Sequence, residues 1–135
     1  MKIYKTCVFD RWAKEQGLSA QALCKAVGEM QEGLYEADLG GGLFKKRIAR
    51  QGQGKRSGFR TLIATNKGSR WFFVFGFAKN ARDNIDRDEE LALKSLANEL
   101  LTLSPDELEK LKSANRIIEV ICDEKKKISD IGGSA

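Results

Sequence analysis

The 135-residue sequence predicts an α+β fold: a small antiparallel sheet of three to five strands, an N-terminal helical hairpin on one face, and a C-terminal helix. Two runs rich in β-formers, Phe59 to Thr65 and Arg70 to Ala78, flank the turn triplet Asn66-Lys67-Gly68 and supply the sheet. Two amphipathic stretches on either side of Gly17-Leu18 supply the hairpin. A capped, leucine-striped stretch after Ile85 supplies the last helix. One domain over residues 1–135 is the simplest organisation at this length, with 122–135 expected to be a loosely ordered tail.

Lys2 to Phe9 reads as the first strand, with Ile3, Cys7 and Phe9 on one parity and Tyr4, Thr6 and Val8 on the other. Asp10 is the expected cap of a short helix that carries Trp12 and Ala13 and stops at Gly17. Ser19 caps the next, where Leu23, Val27, Met30 and Leu34 form one apolar stripe. Gly40-Gly41-Gly42 is a turn rather than a phosphate cradle, because no lysine–serine/threonine pair or helix start follows it. It opens into a strand from Leu43 to Arg50, after which Gln51 to Gly58 is a glycine-punctuated loop with two cations.

In the run from Arg70 to Ala78, Trp71, Phe73, Phe75 and Phe77 fall on one parity and Phe72, Val74 and Ala78 on the other. A strand apolar on both faces is a central one, covered on both sides. It delivers Lys79-Asn80-Ala81-Arg82 to the rim of the core. Acidic residues from Asp86 to Glu90 then open a helix over about Arg87 to Leu103, striped by Leu93, Leu96, Leu100 and Leu103. Ser104, Pro105 and Glu107 restart a short helix to about Ala114, and Ile117 to Ile121 is a last edge strand.

Charge is segregated along the chain. From Leu39 to Arg82 there is no acidic residue but eleven Lys or Arg, leaving 13 basic against 19 acidic residues elsewhere. A one-sign field of this length points to a polyanion, phosphate above all. The expected assembly therefore has helices on one side of the sheet and an acid-free cationic concavity on the other. No apolar run approaches a membrane span and no signal-peptide core is evident, so a cytoplasmic location is expected and no membrane partner. Cys7, Cys24 and Cys122 are widely spaced and histidine is absent, which argues against a disulfide framework, a zinc site and histidine-based hydrolysis. No carboxylate cluster suits paired magnesium ions, and no metal or cofactor is expected. Phosphodiester chemistry here would run on lysine and arginine: an amine crowded by cations loses its proton more readily, and a guanidinium can hold a pentavalent phosphate.

The core GKRSGFRTLIA followed by RWFFVFGFAKNARDNI resembles the RelE/HigB-type toxins of bacterial type II toxin–antitoxin systems, in the RelE/ParE superfamily. The similarity is dense from Leu34 to Ile85. It implies a RelE-like, microbial-ribonuclease-like fold and a metal-independent endoribonuclease that cleaves mRNA, on the 70S ribosome at the A-site codon. It further implies a helix-turn-helix antitoxin as cognate partner. By the resemblance Arg60 clamps the scissile phosphate, Lys79 transfers the proton, and Lys55 binds phosphate or acts in acid–base catalysis. Asn80 and Asn84 match the KNxxDN segment and orient backbone or base, while Arg47, Arg56 and Arg82 are assigned to RNA docking. No tyrosine lies near Lys79, so Phe77 or Trp71 would have to stack on a base. Glu36 and Asp38 are the acids available to pair with Arg60 should it serve structure instead. Two other readings remain open: a ParE-like toxin that poisons DNA gyrase, and a non-catalytic RNA-binding module.

Overall fold

The computed structural model describes residues 1–50 and 58–122. Strand β1 (Lys2–Thr6) leads into helices α1 (Cys7–Gln16) and α2 (Ala20–Gln31). Four strands follow, β2 (Ala37–Gly40), β3 (Leu43–Ile48), β4 (Phe59–Thr65) and β5 (Arg70–Ala78). Helices α3 (Arg87–Thr102) and α4 (Pro105–Ser113) and the short strand β6 (Ile117–Glu119) complete the order. The loop 51–57 and the tail from residue 123 lie outside the described residues, and with them Lys55 and Arg56.

Among the described residues the sheet has six strands in the order β2-β3-β4-β5-β1-β6, more than the three to five expected. It is mixed rather than antiparallel, because β1 lies parallel to β5 with Ile3 opposite Trp71 and Lys5 opposite Phe73. The α1–α2 hairpin and strands β2 to β4 lie between these two partners in sequence, a separation that permits parallel pairing. Strand β5 is central, as its apolar faces require.

Helices cover both faces of the sheet, not one. Helices α1 and α2 bury Phe9, Leu23, Val27 and Met30 against Ile3, Phe44, Ile63, Trp71 and Phe73. On the other face Ala97 and Leu100 of α3 pack on Tyr4, Leu43, Leu62, Ala64 and Phe72, with Leu108 and Leu111 of α4 alongside. The leucine stripes of α3 and α4 need an apolar surface, and the face expected to be a cationic concavity provides it.

A β-bulge re-aims the aromatic strand. Leu62 pairs with Phe75 and Ile63 with Phe73, so Val74 is the extra residue. Trp71 and Phe73 face α1 and α2, but Phe75 and Phe77 join Phe72 and Val74 on the α3 face, against strict alternation. The bulge also sets Gly76 beneath Trp12, where a Cβ would stand 2.3 Å from Trp12 Cζ3.

Local boundaries shift where side chains find better partners. Thr6, not Asp10, caps α1 by accepting from Phe9 N at 3.2 Å, so β1 ends before Cys7. Asp10 instead holds Lys5 at 2.7 Å and Lys14 at 3.2 Å. Helix α2 ends at Gln31, and Leu34 is 55% exposed rather than part of the stripe, where Ala26 is buried instead. Strand β3 stops at Ile48, two residues short of Arg50. The glycine turn is preceded by a strand not read in the sequence, β2, and Gly40, Gly41 and Gly42 all have positive φ.

The capping boxes of α3 (Asp86 with Glu89) and α4 (Ser104 with Glu107, Pro105 following the cap) form as their residues dictate. Cys24 and Cys122 form a disulfide with Cα atoms 5.7 Å apart, against the expectation of isolated thiols. Spacing in the chain could not show this: β6 pairs with β1 and seats Val120 in the α1–α2 core, which carries the next residues to α2. Cys122 is thereby tied to α2. No helix among the described residues is long and apolar enough to cross a membrane.

Candidate functional site

The register of the sheet builds the site. Arg47 of β3 lies opposite Arg60 of β4, and Arg60 lies opposite Phe77 of β5. Residues directly opposite in an antiparallel pair share a face, so these three form one row across three strands, on the α3 side. Two residues along, Lys45 points to the same face by strand alternation, and its Nζ donates to Asn84 Oδ1 at 3.1 Å. Asn84 Oδ1 also accepts from the backbone of Ile85 at 2.9 Å, so the segment after β5 is held over β3.

The cations of this face are not free of acids in space. Glu36, just before β2, places Oε1 at 2.9 Å from Arg60 Nε and Oε2 at 3.1 Å from Arg47 Nη2. Arg60 is only 3% exposed, and among the described residues its Nη1 is the buried side-chain polar atom with no hydrogen-bond partner. Lys46, on the opposite face, pairs with Glu29 of α2 at 2.8 Å. Arg82 pairs with Glu89, Nη1 donating to Oε2 at 3.0 Å and Nη2 to Oε1, and its guanidinium stands 5.6 Å from the Phe77 ring centroid. Hydrogen bonds from Arg82, then from the Asp86 backbone, hold the Glu89 carboxyl below its ordinary range. The acid-free stretch of sequence therefore folds into a surface on which several cations carry counter-charges recruited from outside it.

Other cations are spent on rings and carbonyls. Lys67 Nζ sits 4.9 Å from the ring centroids of both Tyr35 and Phe44, and Arg50 the same distance over Phe59. Arg70 donates to the Leu100 carbonyl at 3.2 Å. Lys79 and Asn80 stand exposed in the turn beyond β5, with Lys79 N donating to Gly58 O at 3.2 Å. Among the described residues Lys79 has no side-chain ion pair, which leaves its amine available to a ligand.

The structure thus brings Arg47, Arg60, Arg82 and Asn84 to one end of one face and sets Lys79 and Asn80 on the adjoining turn. Trp71 is fully buried against α1 and α2 and is in no position to stack on a base. Phe77 is itself nearly buried, and with Phe75, Trp12 and Arg82 it lines a cavity of about 400 Å³ beside α1. Of the two acids available to Arg60, Glu36 takes the role, because Asp38 Oδ1 accepts from Gly40 N at 2.9 Å in the turn. Sequence reasoning passed over Lys45 as a site residue, although its place two residues before Arg47 on one strand puts both on one face.

A row of two arginines and an aromatic ring, with an exposed amine beyond it, can hold a phosphate through planar guanidinium forks. The family model described as RelE toxin of the RelE/RelB toxin–antitoxin system matches residues 1–120. A search of curated proteins finds no match to the chain.

Proposed function

The chain belongs to the RelE toxin family of toxin–antitoxin systems, and from that premise we propose that it is a metal-independent endoribonuclease that cleaves mRNA on the ribosome and so halts translation. The observation that carries the reading is the row Arg47–Arg60–Phe77 with Lys79 on the turn just past it. Arg60 would hold the scissile phosphate and stabilise charge as it develops, the role in which fixed donors act most strongly. Lys79, exposed and without an ion pair among the described residues, would move the proton as the message 2′-hydroxyl attacks the adjacent phosphate. Arg47, Lys45 and Arg82 would dock the RNA backbone, with Asn80 and Asn84 shaping the turn. Lys55 and Arg56, outside the described residues, keep their proposed roles in phosphate binding and docking. The partner that restrains the activity would be the cognate antitoxin.

The test is cleavage of a defined message by the purified chain, with and without translating 70S ribosomes, with the ends mapped by primer extension. Cuts within the A-site codon that leave 5′-hydroxyl ends, and that disappear in folded Lys79→Ala and Arg60→Ala chains, are the expected result. Growth arrest that persists in both variants would overturn the reading in favour of a binding toxin acting on DNA gyrase. RNA binding without cleavage or toxicity in the wild type would overturn it in favour of a docking module.

A further inference from the structure

We propose that Glu36 is a positioning residue of the anion site, fixing the Arg60 guanidinium by its Nε edge so that the unmatched Nη1 is the donor that meets the substrate phosphate. The inference rests on the nuclease reading above and adds a residue to it.

An arginine side chain carries five N–H donors in a fixed plane, so holding one edge sets the direction of the others. Glu36 holds the Nε edge of Arg60 at 2.9 Å. The carboxylate is itself placed by the sheet, because Glu36 N donates to Lys45 O at 2.8 Å, one step before the β2–β3 ladder. Its second oxygen lies 3.1 Å from Arg47 Nη2. Glu36 therefore stands between two arginines that face each other across β3 and β4 and would otherwise repel. Backbone fixes carboxylate, and carboxylate fixes guanidinium.

Among the described residues Arg60 Nη1 is then the exception. Buried side-chain donors are almost always matched, and one that is not calls for an explanation such as an absent ion or a catalytic task. Nη1 is covered in this fold, so an anion meets it only once the covering groups move aside, and it would then satisfy the donor with no change in the Nε pair. A purely structural ion pair gives no reason for the leftover donor. A carboxylate acting as a stand-in for substrate predicts that removing it raises activity. The positioning role predicts a fall in kcat while the added positive charge leaves KM unchanged or lower.

The experiment uses the full chain as wild type, Glu36→Gln and Glu36→Asp. Each is followed by thermal unfolding, by cleavage of one defined message on translating 70S ribosomes, and by titration with inorganic phosphate watched through the Arg60 side-chain nitrogen resonances. The expected result is that Glu36→Gln stays folded, loses kcat by about tenfold or more, and keeps KM within about twofold. Glu36→Asp, which retains the charge, should recover part of kcat. Phosphate should move the Arg60 resonances in the wild type and not in Glu36→Gln. Wild-type kcat in folded Glu36→Gln, or equal phosphate shifts in the two chains, would overturn the proposal as a structural pair. A rise in kcat/KM would overturn it as a displaced stand-in. Should Glu36→Gln fail to fold, wild-type kcat together with unchanged phosphate shifts in Glu36→Asp, whose shorter side chain must move the guanidinium, would overturn it. A wild type that cleaves no RNA would sink the nuclease reading, and the phosphate titration would still decide the role of Glu36.

Discussion

Trp12 lies against the backbone of Gly76 so closely that a side chain at position 76 would meet three of its ring carbons at 2.7 Å or less. Helix α1 is thus docked on β5 through the one strand residue that has no side chain. Gly76→Ala should push the indole away and cost about 1–3 kcal/mol, seen as a lower urea midpoint. The contrasting substitution is Gly28→Ala in α2, where nothing lies within 4 Å of the added carbon. It should stabilise by about 0.5–1 kcal/mol through helix propensity. A matching loss at both positions would refute the docking argument.

Asp10 of α1 ties the helix to β1 through Lys5 and pairs with Lys14 one turn further along α1. Burial alone would raise its carboxyl, but hydrogen bonds from Lys5 and then Lys14 outweigh burial and hold it below its ordinary value of 3.8. A carboxyl depressed in the folded state stabilises fully above its unfolded value and loses that contribution as pH falls through its folded value. Asp10→Asn should therefore destabilise the chain by about 1–2 kcal/mol at pH 7. The difference from wild type should shrink below a pH of about 4 and vanish in stronger acid. Paired urea titrations at pH 7 and pH 3 measure it, and a gap independent of pH would contradict the ion-pair account.

The bond between Cys24 and Cys122 joins residues 98 positions apart. Reduction should lower stability by about 2–5 kcal/mol, since the released chain regains the entropy of a long loop. Cys122→Ser should reproduce the effect in oxidising buffer and show no further response to reductant. Urea unfolding with and without a dithiol checks both, while Cys7, which is unpaired, should contribute nothing to the difference.

Arg47 and Arg82 should separate in their response to salt. Arg47 has a side chain 42% exposed and shares Glu36 with Arg60, whereas Arg82 holds Glu89 through two nitrogens and, among the described residues, shares it with no second cation. Arg47→Gln should weaken RNA binding evenly across sequences and reduce the salt-dependence slope by about one. Arg82→Gln should change the slope less, because its charge is already matched. Binding of a short oligonucleotide at several salt concentrations decides the order.

The parts of this fold that sequence reasoning recovered are those decided within one turn of chain. Ser104 and Glu107 are three residues apart, and the cap they imply is the cap that forms; the acids from Asp86 open α3 as read, with Asp86 and Glu89 closing a capping box there. Asn66-Lys67-Gly68 turns as its chemistry demands, with Lys67 at φ 61° and Asn66 accepting from Gly68 N. What escaped depends on partners distant in sequence. The parallel seat of β1 beside β5 is a choice among edges that no local pattern encodes. The bulge at Val74 reverses the inward and outward residues of Phe75 and Phe77, and it is visible only in the pairing with Leu62. At the site, the cations were legible as residues but not their counter-charges: Glu29, Glu36 and Glu89 all lie outside the acid-free stretch and reach it only in three dimensions.

The sulfur–sulfur link has a mechanical corollary. Strands β2 to β5 and helices α3 and α4 all lie between its two cysteines, so the polypeptide there is a closed ring. Tension applied to the two chain ends is carried across the bond and reaches no hydrogen bond among those four strands. A protease that cuts once inside the ring likewise yields no separated fragments until the bond is reduced. Only β1, α1 and the first turn of α2 can be peeled away on the amino-terminal side without breaking a covalent link.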